Sequence, residues 1–243
     1  MHLPRPLSAL TAAALLAAVT FGPAHLATAV APTQDLPSTD QLTSALLTVD
    51  DVGPGFTEVP STASPGPEEN PTPASGCDAL SALITMHTGE PGPSTPHVEV
   101  ALDGQDGNPM VAEALTAEDP AKLTTDVNTA TDALKNCHTI TFDAGTDDTV
   151  TFTVTPITLG DRQDAPAVRL DGTLAGVQLN AFVGIERFGT VGLAFAFYQR
   201  DGDSSQLASV QYRTAVAKVE HTLGITAGAT TPPTAPATNG TAV

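Results

Sequence analysis

The sequence predicts an α+β domain: a twisted antiparallel sheet with helices packed on it and one inter-helix disulfide. Three observations carry this expectation. Val177–Tyr198 is the longest apolar stretch outside the N-terminus, and its apolar residues alternate: Val177, Leu179, Ala181, Val183 and Ile185, then Val191, Leu193, Phe195 and Phe197. A period of two is a strand signal, and Glu186 and Arg187 at its middle argue against a membrane span. The elements also run helix, helix, strand, strand, helix, a series of strands, helix. Such clustering favours an antiparallel sheet over a parallel α/β one. Finally, two cysteines, Cys77 and Cys137, each adjoin an expected helix.

In order, the chain opens with a targeting signal over 1–29. Arg5 is the positive n-region, and Leu10–Val19 is an apolar run too short to anchor. Small residues at Ala27 and Ala29 set a cleavage site after Ala29; the next candidate cut would leave Pro32 beside the scissile bond. The first cysteine, Cys77, lies far from this site, and no second hydrophobic span follows. The expected product is secreted, with no stable membrane anchor after signal removal. Export favours pairing of the cysteines over a reactive thiol. They are 60 residues apart, and a bridge closing such a loop contributes about 4 kcal/mol.

Residues 30–37 are a lead-in. Ser38 with Gln41 forms a capping-box start, and Leu42, Ala45, Leu46 and Val49 continue one helical stripe to the Gly53-Pro54-Gly55 stop. Residues 60–76 are proline-rich, without apolar period, and are expected as a disordered loop. Asp78–His87 reads as a short helix. His97–Asp103 alternates as a strand, and Asp103–Asn108 is a turn rich in residues that tolerate positive φ. Pro109–Ala117 returns as a strand. Asp119 caps a helix with Pro120 in its first turn, carried by Leu123, Val127, Ala130 and Leu134. His138–Phe142, Thr149–Thr155 and Val168–Leu174 are strands by β-branched and alternating composition.

Then comes the hairpin. One core face would group Val183 and Ile185 with Leu193 and Phe195, which requires odd residues opposite odd and an odd-numbered loop centred on Gly189. That face is expected to pack against the helices at Leu123–Leu134 and Tyr212–Leu223. The last helix spans Asp203–Leu223 with a stripe of Tyr212, Val216, Val219 and Leu223, and the tail 225–243 is expected to be disordered.

Charge narrows the partners. Nine Lys+Arg against 27 Asp+Glu give a net charge of -18, which disfavours nucleic acids and anionic membranes. No cofactor is expected: glycine patterns for dinucleotides or phosphates and a Gly-x-Ser-x-Gly elbow are missing from the sequence. His97 and Glu99 share a strand face but lack a third metal ligand. His87, His97, His138 and His221 show no shared spacing. The acidic turns at 103–108, 143–148 and 201–203 lack calcium-loop spacing.

Three phrases in order, Ser44–Thr57 (SALLTVDDVGPGFT), Cys77-Asp78-Ala79-Leu80 and Ala133–Cys137 (ALKNC), resemble the actinobacterial sensor domains similar to the outer domain of PknH-type serine/threonine kinases. Pro156–Leu170, with its Leu159-Gly160-Asp161 and Arg169, and Ala215–Val219 in the last helix extend the likeness over 42–223. The resemblance implies a PknH-like extracellular sensor domain over 38–224, with a cleft over the sheet that takes an extracellular ligand, and no catalysis. Departures are the missing kinase and transmembrane segments, a single possible disulfide, and Phe56 where the family often has Trp.

The expected function is therefore exported, non-catalytic ligand binding. The ligand would be a small apolar molecule or an envelope component. A hydrolase without a recognisable motif and a structural or partner-binding envelope protein are the alternatives. Phe182, Gly192, Ala194 and Ala196 on the hairpin's second face are the candidate cleft. The competing reading is that their small side chains admit a packed helix.

Overall fold

The computed structural model describes residues 36–60, 73–77, 95–143 and 149–230. The Ala29 cleavage site, the helix expected at 78–87, most of the proline-rich loop, the 144–148 turn and the tail beyond 230 lie outside the described residues. In chain order the elements are α1 (Thr39–Ala45), α2 (Val49–Val52), β1 (Thr57–Glu58), β2 (Pro73–Ser75), β3 (His97–Asp103), β4 (Met110–Ala117), α3 (Pro120–Asn136), β5 (Thr139–Asp143), β6 (Thr149–Pro156), β7 (Ala167–Leu174), β8 (Val177–Phe188), β9 (Val191–Arg200) and α4 (Ser205–Leu223). The strands form one antiparallel sheet in the order β1-β3-β4-β9-β8-β7-β6-β5-β2, with the predicted hairpin β8–β9 inside it.

The capping box at Ser38 forms as expected: Gln41 N–H donates to Ser38 Oγ (3.3 Å) and Ser38 N–H to Gln41 Oε1 (2.9 Å). The single helix expected through Val49 instead breaks after Ala45. Polar side chains take up the freed backbone donors. Leu47 N–H donates to Glu113 Oε2 at 2.6 Å, and Thr48 N–H to Asp51 Oδ2 at 2.8 Å. The second contact starts α2 with a cap of its own.

The hairpin register differs from the expectation. Phe188 faces Val191, Ile185 faces Ala194 and Val183 faces Ala196, so odd residues meet even ones across a two-residue loop, Gly189-Thr190. Gly189 does take the expected left-handed backbone (φ 66). Odd-to-odd pairing holds for a sheet with one core face. Both faces of this sheet are buried, so alternation no longer selects one parity, and the two-residue loop, the commonest hairpin connection, prevails.

On the front face, Phe182, Phe188, Val191, Leu193, Phe195 and Phe197 pack with Leu42, Leu47 and with Ala208, Tyr212, Ala215 and Val219 of α4. On the back face, Val183, Ile185, Ala196, Val168, Leu170, Val154 and Ile140 pack with Ala130, Ala133 and Leu134 of α3. The two helices therefore cover opposite faces rather than sharing one. Cys137, at the C-cap of α3, is bonded to Cys77, which ties this helix to the edge strand β2. The chain also stays ordered past 224. Ile225 is buried, Gly228 N–H donates to Arg187 O at 2.6 Å, and Gly189 N–H donates to Ala229 O at 2.9 Å. These bonds cap the hairpin end, so the start of the tail is part of the domain. Among the described residues no helix is long and apolar enough to cross a membrane.

Candidate functional site

The back face is built from the β3–β4–β9 register. Four rungs run across it: Asp103–Met110–Tyr198, Ala101–Ala112–Ala196, Glu99–Ala114–Ala194 and His97–Thr116–Gly192. β4 is buried along its whole length, and Ala112, Ala114 and Ala194 form a small cluster separate from both cores. Of the predicted cleft residues, Gly192, Ala194 and Ala196 share this face. Phe182 does not. It lies opposite Phe197 on the front face, ring edge to ring at 6.1 Å, because the even–odd register puts the two in one rung. Gly192 is not open either: a Cβ there would lie 2.9 Å from Leu123 Cδ1. Ala196 belongs to the core under α3. For these two positions the small residue admits a helix. Ala194, with Ala112 and Ala114, forms the remaining floor, which is itself buried.

Polar groups stand at both ends of that floor. At one end, Tyr198 Oη and Asp103 Oδ1 are buried without hydrogen-bond partners. Burial pushes both groups up, and the Arg200 charge opposes the rise for Asp103. At the other end, His97 Nδ1 lies 2.8 Å from Thr116 Oγ1. Burial lowers the His97 pKa against the pull of Glu99 and Glu118. Lys122 Nζ, at the start of α3, bridges Glu118 Oε1 (2.9 Å) and Asp126 Oδ2 (3.3 Å). Burial first, then the hydrogen bond from Glu118, pushes Asp126 up. Glu118 Oε2 is buried without a hydrogen-bond partner.

No acid pair stands out in the sequence as a catalytic motif. The four-residue steps Glu118, Lys122, Asp126 at a helix start are the available signal. His97 and Glu99 share the face as expected, and His97 is engaged by Thr116. Among the described residues no group of three or more His, Cys, Asp or Glu could hold a metal ion.

The front face holds its own buried acid. Glu113 is fully buried, and desolvation pushes its pKa up to about 8, against the Leu47 hydrogen bond and the Lys218 charge. The Leu159-Gly160-Asp161 phrase docks on α4. Cβ atoms at Gly160 and Gly184 would each lie 2.7 Å from the Tyr212 ring, so two glycines form the slot that holds it. Tyr212 Oη donates to Ile185 O at 3.3 Å, and Ser209 Oγ donates to Leu159 O. Arg169 donates to Asp171 (2.8 Å) and Asp203 (2.9 Å) and lies over the Phe182 ring. It thereby pins the loop entering α4 to β7. Outside this core, a shallow groove of about 630 Å³ runs along α4, lined by Asp51, Val210, Arg213, Thr214, Ala217, Lys218, His221 and Thr222.

The extracellular domain of PknH from Mycobacterium tuberculosis has a similar fold. It matches with a TM-score of 0.56 at 15% identity, over 77% of this chain and 98% of that domain. No protein-family model and no curated protein matches the sequence.

Proposed function

We propose that the chain is an exported, non-catalytic, sensor-like domain. It binds a small apolar or cell-wall-derived molecule on the back face, over Ala112, Ala114 and Ala194. The observation that carries this reading is the alanine floor with partnerless buried polar atoms at its ends, Tyr198 Oη and Asp103 Oδ1. Buried polar atoms are nearly always satisfied in native proteins, and a ligand with an apolar body and a polar tip would satisfy these. The fold shared with the PknH extracellular domain and the Cys77–Cys137 bridge support an exported sensor-like role. The pairing that would favour a hydrolase, a histidine on Ser, Asp or Glu, is not the one His97 makes.

Native mass spectrometry of the chain recovered from a culture medium tests this. The reading expects an added mass that is retained by wild type and lost on Ala114→Leu, with melting showing that the variant still folds. No added mass in wild type, together with an Ala114→Leu variant as stable as wild type, would show a floor with nothing to bind and would sink the reading.

A further inference from the structure

The back-face floor is closed off from water: Ala112, Ala114 and Ala194 are buried, as is β4 along its whole length. A molecule lying on it is enclosed as well. Its polar tip cannot exchange hydrogen bonds with water and has to find them in the protein. At one end of the floor two such partners stand ready. Asp103, Met110 and Tyr198 form one rung across β3, β4 and β9. Two strand spacings set the Asp103 and Tyr198 backbones about 10 Å apart with Met110 between them. Tyr198 Oη and Asp103 Oδ1 are both buried, and neither has a hydrogen-bond partner.

Charge decides what the tip can be. Arg200 follows Tyr198 by two residues and so shares its face of the sheet. Its backbone is fixed on Asn108, with Arg200 N–H donating to Asn108 Oδ1 at 2.9 Å and Asn108 Nδ2 donating to Arg200 O at 3.2 Å. Its Nη2 donates to Asp106 O at 2.7 Å, and its charge acts on Asp103. A carboxylate tip has acceptors only. It would take the Tyr198 O–H but leave Asp103 Oδ1 unmatched and set two acids side by side. An ammonium tip has donors only. It would serve Asp103, leave the Tyr198 O–H without an acceptor and bring a second cation toward Arg200. Each of these tips also carries the cost of enclosing an ion. A hydroxyl is neutral and both donates and accepts. It accepts from Tyr198 and donates to the Asp103 carboxylate, and it can accept from Asp103 when that carboxyl is protonated.

We infer that the ligand of the back-face site is an alcohol, with an apolar body on Ala112, Ala114 and Ala194 and a neutral hydroxyl tip held between Tyr198 Oη and Asp103 Oδ1. The inference rests on the back-face site proposed above and gives its ligand a chemical class.

Decanol, decanoate and decylamine share a chain length and differ at the tip, so they test the tip alone. The full chain, stripped of bound apolar material on a hydrophobic resin, is titrated with each at neutral pH. Binding is read by native mass spectrometry and by the rise in melting temperature. Decanol should bind at least about tenfold tighter than either ion, the worth of one unmatched buried group. Ala114→Leu should abolish binding. Tyr198→Phe should weaken decanol by about tenfold while the ligand-free variant melts at or above wild type, because it loses an orphaned buried hydroxyl. Equal binding of the three probes, all lost on Ala114→Leu, would keep the floor as a site and overturn the hydroxyl tip. Decanol binding unmoved by Tyr198→Phe would overturn it as well. No binding by any probe would overturn the alcohol and the apolar site together.

Discussion

Replacing Glu113 by Gln should flatten the pH dependence of stability between about pH 4.5 and 8. Glu113 is fully buried and accepts the Leu47 N–H at 2.6 Å, and its folded pKa rises from 4.5 to about 8 through desolvation. A raised carboxyl binds its proton more tightly in the folded than in the unfolded state. Between the two pKa values the native state therefore holds more protons, and stability falls as pH rises. The stabilisation is fully present below about 4.5, declines through the window, and is gone above about 8. At about 1.4 kcal/mol per pH unit, the whole window amounts to about 5 kcal/mol as an upper value. Gln keeps an acceptor for Leu47 and does not titrate. Urea melts of wild type and Glu113→Gln at half-unit pH steps would separate this group from every other, because only the difference between the two curves counts. The difference should tilt steadily toward the variant from pH 5 to 8 and level off beyond. Parallel curves across that range would refute the assignment of a buried proton to Glu113.

Asp126→Asn should remove the pH sensitivity that Asp126 gives to stability. Asp126 is pushed up by burial and by Glu118, so its stabilisation is present at acidic pH and lost as pH rises. The variant should gain relative stability on the alkaline side, read by thermal melts at pH 5 and 9. Gly184→Ala should cost about 1–3 kcal/mol in urea melts, because its Cβ would lie 2.7 Å from the Tyr212 ring and 3.0 Å from Leu159; pairing it with Tyr212→Leu should recover part of the loss. Cys77→Ser with Cys137→Ser should cost about 4 kcal/mol, with hydrogen exchange rising first at β2 and the end of α3.

Local physics made most of the fold legible. The Ser38 capping box, the Asp119 cap ahead of Pro120, and the alternating strands from Thr139 to Arg200 follow from contacts within a few residues. What stayed hidden depends on distant partners. The break at Leu46–Thr48 needs Glu113, whose carboxylate sits 66 residues downstream. The hairpin parity needs knowledge that helices cover both faces. Phe182 groups with Gly192, Ala194 and Ala196 only on the assumption of a single buried face, and that one assumption misplaces α3 as well. The acids Glu118 and Asp126 are visible as a spacing around Lys122, but only their burial in the fold raises the Asp126 carboxyl.

Two-sided burial also explains where the acids sit. A sheet buried on one face keeps its polar residues in water on the other, whereas this one has no wet face along β4. Glu113 on the front therefore lies in the core. So does Glu118, one residue beyond the strand's end. Each is held through the N-terminal part of a neighbouring helical segment: Leu47 ahead of α2, and Lys122 in the first turn of α3. Moving either helix would expose or strip a buried carboxyl, so the protonation of Glu113 and of Asp126, the two raised groups, is coupled to the seating of these helices. If that coupling holds, lowering the pH should slow hydrogen exchange at Leu47 and in the first turn of α3 beyond the intrinsic pH effect, and Glu113→Gln should cancel the change at Leu47 alone.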